Sequence, residues 1–417
     1  MSVRAGGGVD TAALTARLAE IAEVVDTTGD PEGLGIGVLR EHGLMSYTVP
    51  ADCGGAGAGP AAFLNVAAEL GGQCLGLAVL WVMHCQQVAV LSEYAPEPLR
   101  TAALRPVVDE QALIGSITTE AGKGGHMLTA AAALDERDGV VRFHRDAPVV
   151  SGGGQAGAFL VTMRRSEDGA ADDVVLVHCP RELSDPKVVA PLRMLGMRGT
   201  CNVSMTVDVE VPRDHLIEPP GGFARVAMRT MAPLGHLGWA AAWTGAARAA
   251  LRYVVAHARR PAGGGPSIRR DDDVLDRIAR ARQDLDVAEA MVAAGLREYE
   301  LRDGAERDRP AFQIMINNVK VTASERSFAA VDGLLEIAGL GLGYQQGDGL
   351  VLERIFRDLR SASLMYGNRR LLRANGKLGL LDTAACSFAA SGPLGGEPDR
   401  ERDRERDRDA DQAPGRG

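Results

Sequence analysis

The sequence has few aromatic residues and no long apolar run. Phe, Trp and Tyr make up only 4% of the 417 residues, whereas apolar residues together reach 46%. This composition favours closely packed helices over an aromatic-rich β-sandwich. The most apolar stretch, Leu75 to Met83, is shorter than the ~18 residues that cross a bilayer, so a membrane is not expected as a partner. A basic segment followed by an apolar one is missing at the N-terminus, and no signal peptide is predicted.

Cysteine and excess positive charge are also scarce. The six cysteines form no Cys-x-x-Cys pair, which is typical of buried small apolar residues in a reducing compartment, by default the cytoplasm. The formal net charge is −9 and no compact basic patch stands out, so nucleic acid is not expected as a partner. No metal site is predicted.

The pattern of apolar residues divides the chain into four segments. Residues 1–114 have helical periodicity and predict an N-terminal helical domain, with Asp10 or Thr11 able to cap the first helix. Residues 115–221 predict a central β domain, because Val203 to Val211 alternate strictly before Pro212. Residues 222–385 are helical again. Residues 386–417 predict a disordered tail, because the run from Asp399 to Asp409 alternates Arg with acidic residues and has no apolar residue to bury.

Four long helical segments follow the predicted β domain. They run from Phe223 to about Arg260, from Asp271 to Leu301, from Pro310 to Ile337, and from about Val351 to Leu381. Proline is favoured in the first turn of a helix, which supports the third start. Four helices of this length predict a bundle. The predicted fold is therefore α+β, mainly α: helical domain, central β domain, C-terminal four-helix bundle.

A glycine-rich segment, Thr118–Gly125, opens the predicted β domain. By itself it is a turn after a strand, which either presents N–H groups to an anion or only reverses the chain. The segment resembles the Thr-Glu-Pro-x-x-Gly-Ser motif of the acyl-CoA dehydrogenase family, whose threonine contacts the flavin ring and matches Thr119. The stretch from Arg145 to Gly152 is similar to the family segment beside the flavin, and Ser151 keeps its hydroxyl.

The resemblance extends over about 370 residues and implies FAD as the cofactor. Glu336–Tyr344 is similar to a family turn that approaches the adenosine of FAD, and its glycines are Gly339, Gly341 and Gly343. Arg259 or Arg260, followed by Gly263, occupies the place of an arginine that binds the FAD pyrophosphate of a neighbouring subunit. The alternative is a solvated charge at a helix C-terminus. The family forms dimers and tetramers, so a homodimer or homotetramer is implied.

The family's catalytic glutamate is missing. It lies eight residues after the Asp of an Arg-Asp pair, here Arg357-Asp358, in a Tyr-Glu-Gly-Thr motif. The ungapped match places Tyr366 at the glutamate and Asn368 at the threonine, which makes the chain a divergent member. A phenol with a pKa of about 10 is a poor base near neutrality.

A second glutamate position, on the first bundle helix, falls at Gly235. The next residue, His236, is the nearest titratable candidate for a base. Its alternative role is a packing histidine beside Trp239 and Trp243. His84, at the end of an apolar helix, either points into a substrate cavity or is a hydrogen-bonded core residue.

Two enzymatic functions follow from the resemblance. The first is α,β-dehydrogenation of an acyl thioester, carried on CoA or on a carrier protein, with Tyr366 and His236 at the catalytic positions and an electron-transfer partner. The second is a flavin monooxygenase or oxidase, in which reduced flavin reacts with oxygen and no α-proton base is needed. The sequence places the first ahead because of family membership. A non-catalytic flavin-binding homologue is the third possibility.

Overall fold

A computed structural model of the chain describes residues 9–121, 127–259, 271–347, 349 and 351–383. Two sheets lie between an N-terminal and a C-terminal set of helices. The predicted mainly α architecture is therefore confirmed. The charged tail predicted for residues 386–417 lies outside the described residues.

Five helices precede the sheets. They are α1 Thr11–Thr28, α2 Leu34–Glu41, α3 Pro60–Gln73, α4 Leu75–Tyr94 and α5 Leu99–Asp109. The Asp10 side chain accepts a hydrogen bond from the Ala13 N–H and caps α1, as predicted. Of the described helices, α4 alone is long and apolar enough to cross a membrane, yet 83% of its most apolar window is buried within the protein. Its apolar character is explained by its place in the core.

Two four-stranded sheets form the centre. The strands are β1 Leu113–Ile117, β2 Asp135–Arg137, β3 Val140–Val150, β4 Ala156–Arg164, β5 Val174–Pro180, β6 Ser184–Pro191, β7 Val203–Pro212 and β8 Leu216–Ile217. One sheet has the order β1-β4-β5-β8 and the other the order β2-β3-β7-β6. The alternation predicted for β7 is confirmed, because its odd-numbered residues from Met205 onward are buried.

Helices resume directly after β8. They are α6 Gly222–Val226, α7 Ala232–Ala258, α8 Asp272–Leu301, α9 Pro310–Gly339, α10 Leu352–Leu359 and α11 Asn368–Gly379. A π-helical turn joins α6 to α7. Helix α9 begins at Pro310, as expected from the sequence.

The prediction of one helix over Val351–Leu381 is wrong. The segment is two helices, α10 and α11, separated by residues 360–367, which we call the 360s loop. Tyr366 has φ 48° and Gly367 has φ 17° with ψ 108°, and neither is compatible with a continuing right-handed helix. The break changes where Tyr366 points, so it matters for the site.

Helices α3 and α7 cross at close range through two glycines. A Cβ atom on Gly71 would collide with the Ala242 carbonyl, and one on Gly245 would collide with the Ala68 carbonyl. Only glycine permits backbones to approach this closely. The crossing fixes the N-terminal helices against the bundle and buries α7.

The close crossing predicts that Gly245→Ala destabilises the protein. The added methyl group must displace backbone, which costs about 1–3 kcal/mol. Thermal unfolding followed by circular dichroism measures the effect. Gly376→Ala is the matched control: a Cβ there meets open space within α11, and the change is expected to stabilise by about 0.4–1 kcal/mol. Equal melting temperatures for the two variants would contradict the interpretation.

Candidate flavin and substrate site

Tyr366 and His236 lie side by side between the bundle and the β domain. The Tyr366 ring is 6.0 Å from the His236 ring, edge-on, and 5.4 Å from the Trp239 ring. The Tyr366 hydroxyl donates to the Met127 Sδ at 3.0 Å. Three aromatic rings from α7 and the 360s loop thus meet, and one of them, Tyr366, contacts a sulfur atom of the β domain. We call these four side chains the aromatic cluster.

Burial keeps the two titratable members of the cluster uncharged. It lowers the pKa of His236 to about 3, with a further contribution from the Lys320 ammonium and an opposing one from the Ile316 carbonyl. It raises the pKa of Tyr366 to about 12. A buried imidazole without an anionic partner avoids protonation, and a phenol that is partly buried among apolar groups avoids ionisation. At pH 7 the cluster is a neutral surface.

Several polar atoms of α7 in this region have no hydrogen-bond partner among the described residues. They are the Nε1 atoms of Trp239 and Trp243 and both ring nitrogens of His236, which lies near the Ile316 carbonyl without a hydrogen bond of normal geometry. The three side chains recur at helical spacing and are all buried. Buried polar atoms are normally paired with protein or water. These atoms are therefore candidates to meet a bound molecule or water.

Asn368 faces the interior of the bundle. Its Oδ1 accepts from Lys320 Nζ at 2.7 Å, and its Nδ2 donates to Ser324 Oγ and Glu325 Oε1, each at 3.0 Å. These bonds engage both ends of the amide. The family resemblance assigns position 368 to cofactor binding, and that role stays a prediction.

Thr119 and Ser151 lie close together in the β domain. The Thr119 hydroxyl donates to the Val149 carbonyl at 2.9 Å, two residues before Ser151, whose hydroxyl donates to Asn202 Oδ1 at 2.7 Å. Both oxygens keep lone pairs that can accept a further hydrogen bond. The arrangement brings together the two hydroxyls that the resemblance assigns to the flavin. Gly124 and Gly125 of the same motif lie outside the described residues.

The glycine turn after α9 has the open space that an approaching ligand needs. Gly339 has φ 62°, which favours glycine, and Gly343 is packed against the Ala338 Cβ. A Cβ on Gly341 would meet nothing within 4 Å, so internal packing does not explain that glycine. Leu340 and Tyr344 beside it are 80% and 70% exposed. The turn fits a backbone approached from outside, as the adenosine of FAD requires in the family.

Arg259 follows α7 as its C-terminal cap. Its backbone N–H donates to the Val255 carbonyl at 3.1 Å. The cap position is equally suited to a charge favoured by the helix dipole, so its cofactor role stays a prediction. Arg260 and Gly263 lie outside the described residues.

Arg357 and Asp358 anchor the helix that precedes the 360s loop. Arg357 pairs with Asp26 at 2.6 Å and with Glu353 at 2.7 Å. The Asp358 carboxylate accepts from the Met197 N–H, and burial raises its pKa to about 7. These bonds join α10 to α1 and to the turn before β7. The pair is structural here.

His84 is a hydrogen-bonded core residue and not a cavity residue. Its Nε2 lies 2.8 Å from the Met45 carbonyl, and its Nδ1 accepts from the Ile114 N–H at 3.0 Å. The ring therefore links α4 to the start of β1. Of the two roles that the sequence left open, the structural one agrees with these bonds.

Sequence reasoning missed Lys320 and Met127. Lys320 is completely buried on α9 and touches the loop that carries Tyr366. The available signal was a lone lysine between Val319 and Val321 in an apolar stretch. Met127 carried no signal, because only the tertiary fold brings it to Tyr366. The described residues contain no group of three or more potential metal ligands.

The lowered pKa of His236 predicts acid sensitivity. The unfolded state, with a pKa of 6.5, takes up the proton that the folded state refuses until about pH 3. The pH-dependent contribution of His236 to the free energy of unfolding is complete above the unfolded pKa and is lost as pH falls. The loss amounts to about 2 kcal/mol at pH 5. His236→Phe should therefore lose less stability than wild type between pH 7 and pH 5, measured by urea unfolding.

The control for this comparison is His144→Gln. His144 is exposed and Asp208 raises its pKa, so its contribution is lost as pH rises and its removal does not reduce the acid effect. Burial also lowers the pKa of His84 to about 4 and that of His178 to about 3. Both histidines are present in every variant, so each variant still loses some stability between pH 7 and pH 5. An unchanged acid effect in His236→Phe would contradict a buried neutral imidazole.

Comparison with known proteins places these features in a family. Residues 11–111 match the N-terminal domain of acyl-CoA dehydrogenases and residues 222–377 match the C-terminal domain. Cyclohexane-1-carbonyl-CoA dehydrogenase of Geobacter metallireducens is 23% identical over 86% of this chain and 91% of its own. The very long-chain specific acyl-CoA dehydrogenase of Rattus norvegicus is 24% identical over 80% of this chain, which spans about half of the rat enzyme (51%).

The same fold occurs in a solved monooxygenase. Dibenzothiophene monooxygenase TdsC from a Paenibacillus species superimposes with a TM-score of 0.74 at 20% identity, covering 91% of this chain and 99% of its own. The predicted family is thus confirmed by two domains that together span more than half of the sequence. The chain belongs to the acyl-CoA dehydrogenase family of flavin-dependent oxidoreductases.

Proposed function

We propose that the protein is an FAD-dependent monooxygenase or oxidase that acts on a neutral, largely apolar substrate. The observation that carries the proposal is the neutral aromatic cluster around Tyr366, the residue that the resemblance assigns to the family's catalytic carboxylate. The phenol of Tyr366 has a pKa of about 12, and the pKa of His236 is about 3. A base suited to removing a weakly acidic α-proton has a pKa near the working pH, and neither group meets that condition.

The charges that act on the cluster are positive. Lys320 lowers the pKa of His236, and Arg370 lowers the pKa of Tyr366 against the larger effect of burial. No carboxylate of the described residues is among these influences. A fixed positive field in a water-excluded site stabilises negative charge that develops during a reaction. It does not supply a proton acceptor.

The chain's own residues would then bind and orient the substrate. A bound flavin supplies electron transfer and, in its reduced form, reactivity toward oxygen. Tyr366, which is only partly buried, would offer a ring face to an apolar substrate. The Trp239 N–H, which has no partner among the described residues, would donate to an acceptor that displaces the cluster's packing. Thr119 and Ser151 would accept hydrogen bonds at the flavin edge. TdsC, on the same fold, is by name a dibenzothiophene monooxygenase.

A second candidate is dehydrogenation of an acyl thioester with His236 as the base. Neither ring nitrogen of His236 has a hydrogen bond of normal geometry among the described residues, and the ring lies beside Tyr366. The curated relatives named above act on CoA thioesters, and an electron-transfer partner would then reoxidise the flavin. For this second candidate, the acyl group is carried either on CoA or on a carrier protein.

Anaerobic titration of the FAD-loaded protein separates the two candidates. The proposal predicts that a panel of acyl-CoA thioesters leaves the flavin absorbance unchanged. It also predicts that the chemically reduced protein, exposed to oxygen, converts neutral aromatic compounds to oxidised products detected by mass spectrometry. Bleaching by a thioester without added reductant would establish the second candidate instead.

Tyr366→Glu is the sharpest test of the proposal. A carboxylate in a site that holds a neutral substrate is costly to desolvate, so oxygen-dependent turnover should fall by roughly 10²-fold or more. Tyr366→Phe keeps the ring and serves as the matched control, with a much smaller effect. For a thioester dehydrogenase the order reverses: Tyr366→Glu preserves or raises desaturation, and His236→Ala lowers it.

The glycine turn predicts a preference for FAD over FMN. The two flavins share the ring and differ in the adenosine part, which the resemblance places at Gly339–Gly343. FAD should raise the melting temperature more than FMN at equal saturation, since a tighter ligand stabilises more. Gly341→Val should abolish this difference and leave the FMN effect intact, because its side chain enters the open space. Equal stabilisation of wild type by both flavins would count against the assignment.

A cytoplasmic homodimer or homotetramer is part of the proposal. Exposed apolar side chains on and after α11 support association: Leu372, Leu380 and Leu381 are 50%, 87% and 78% exposed. Light scattering coupled to size-exclusion chromatography measures the assembly.

A further inference from the structure

We propose that Lys320 is the positioning residue that holds the 360s loop, and thereby Tyr366, in the conformation seen here. The Lys320 ammonium donates to the Ala362 carbonyl at 2.9 Å and to Asn368 Oδ1 at 2.7 Å. These two acceptors bracket Tyr366 on either side. One buried cation thus ties both ends of the loop to α9.

The loop has a conformation that needs such support. Tyr366 adopts φ 48°, a region that costs a residue with a Cβ roughly 1–2 kcal/mol. The helices α10 and α11 on either side do not by themselves impose this φ value. A loop of eight residues can join two helix ends through several backbone conformations. A strained residue persists only when its surroundings fix it. Backbone hydrogen bonds within the loop, such as that from the Gly367 N–H to the Leu364 carbonyl, fix part of it. The Lys320 bonds to Ala362 and Asn368 add polar contacts that tie both ends of the loop to α9.

The surroundings of Lys320 are unusual for a lysine. It is completely buried. Burial lowers its pKa, and among the described residues the Glu325 carboxylate opposes that effect through space. The third face of the ammonium lies 5.6 Å from the Trp243 ring centroid, within range of a cation–π contact. A buried lysine without an ion pair is destabilising on its own, and an uncharged helix former would pack there at lower cost. The position and its partners indicate a role beyond packing.

Asn368 completes the clamp. Its amide spans from Lys320 to Ser324 and Glu325, so the first residue of α11 is fixed to three positions of α9. Substituting Lys320 would leave Asn368 Oδ1 and the Ala362 carbonyl buried without their donor, and unsatisfied buried acceptors favour local opening. The expected consequence is a loosened 360s loop within an otherwise intact bundle.

The first test measures hydrogen exchange on the full-length, FAD-loaded protein and needs no substrate. In wild type, peptides covering residues 360–368 should exchange far more slowly than the exposed turn at residues 304–308. Lys320→Met should accelerate exchange at residues 360–368 roughly tenfold, the equivalent of one or two lost hydrogen bonds, and leave α3 and α8 unchanged. Lys377→Met, which removes an exposed lysine of α11, is the matched control and should change nothing.

The second test asks whether Lys320 acts through Tyr366, and it rests on the proposed function. Lys320→Met should lower kcat with FAD affinity unchanged, and the effect should disappear in a Tyr366→Ala background, as expected for coupled residues. Loss of the same factor in both backgrounds would overturn the coupling. Lys320→Arg keeps the positive charge on a guanidinium, so residues 360–368 should exchange more slowly in this variant than in Lys320→Met.

The two tests fail in different ways. Fast exchange of residues 360–368 in wild type, or unchanged exchange in Lys320→Met, overturns the clamp whatever reaction the protein catalyses. If Lys320→Met does not fold, the wild-type exchange pattern and the variant Asn368→Leu test the clamp instead. Asn368→Leu removes the amide that accepts from Lys320, so it should accelerate exchange in the same peptides. Absence of oxygen-dependent turnover with the exchange pattern intact overturns the proposed function and leaves the clamp standing.

Discussion

Exclusion of water from the contact between α7, α9 and the 360s loop governs the chemistry of this protein. The same desolvation lowers the pKa of His236 to about 3, lowers that of Lys320 to about 8 and raises that of Tyr366 to about 12. Each shift favours the uncharged form. Lys320 still bears a proton at pH 7, because its pKa remains above that pH. The result is a neutral aromatic surface with one buried cation behind it.

Small residues make this desolvation possible. Helix α7 carries glycine at Gly238 and Gly245, where a Cβ would collide with Val82 and Phe63 or with the Ala68 carbonyl. The N-terminal helices therefore lie directly against α7, and His236 and Trp239 are left 1% and 3% exposed. Wider helix spacing would admit water and return the imidazole toward its ordinary pKa. The electrostatics of the site thus depend on backbone packing at Gly238, within one turn of His236, and at Gly245, about two and a half turns away.

The sequence predicted the fold where one periodicity persists over many residues. Strand β7 and the start of α9 at Pro310 follow from alternation and from a proline at the first turn. The break between α10 and α11 was missed, because Tyr366 takes its left-handed conformation from tertiary contacts and not from a local glycine signal. The role of Lys320 was missed for the same reason: its partners are 42 and 48 positions away.

The separation of structural and chemical positions explains how one fold supports different reactions. Arg357 and Asp358 join α10 to Asp26 and Met197 and hold the bundle against the rest of the chain. Tyr366, eight residues after Asp358, contributes none of these bonds and instead contacts Met127, His236 and Trp239. The side chain at position 366, which the family resemblance assigns to the catalytic glutamate, can therefore change without loss of these contacts. In the proposed function, the phenol at this position leaves the site without a carboxylate, and the same framework then serves a different class of reaction.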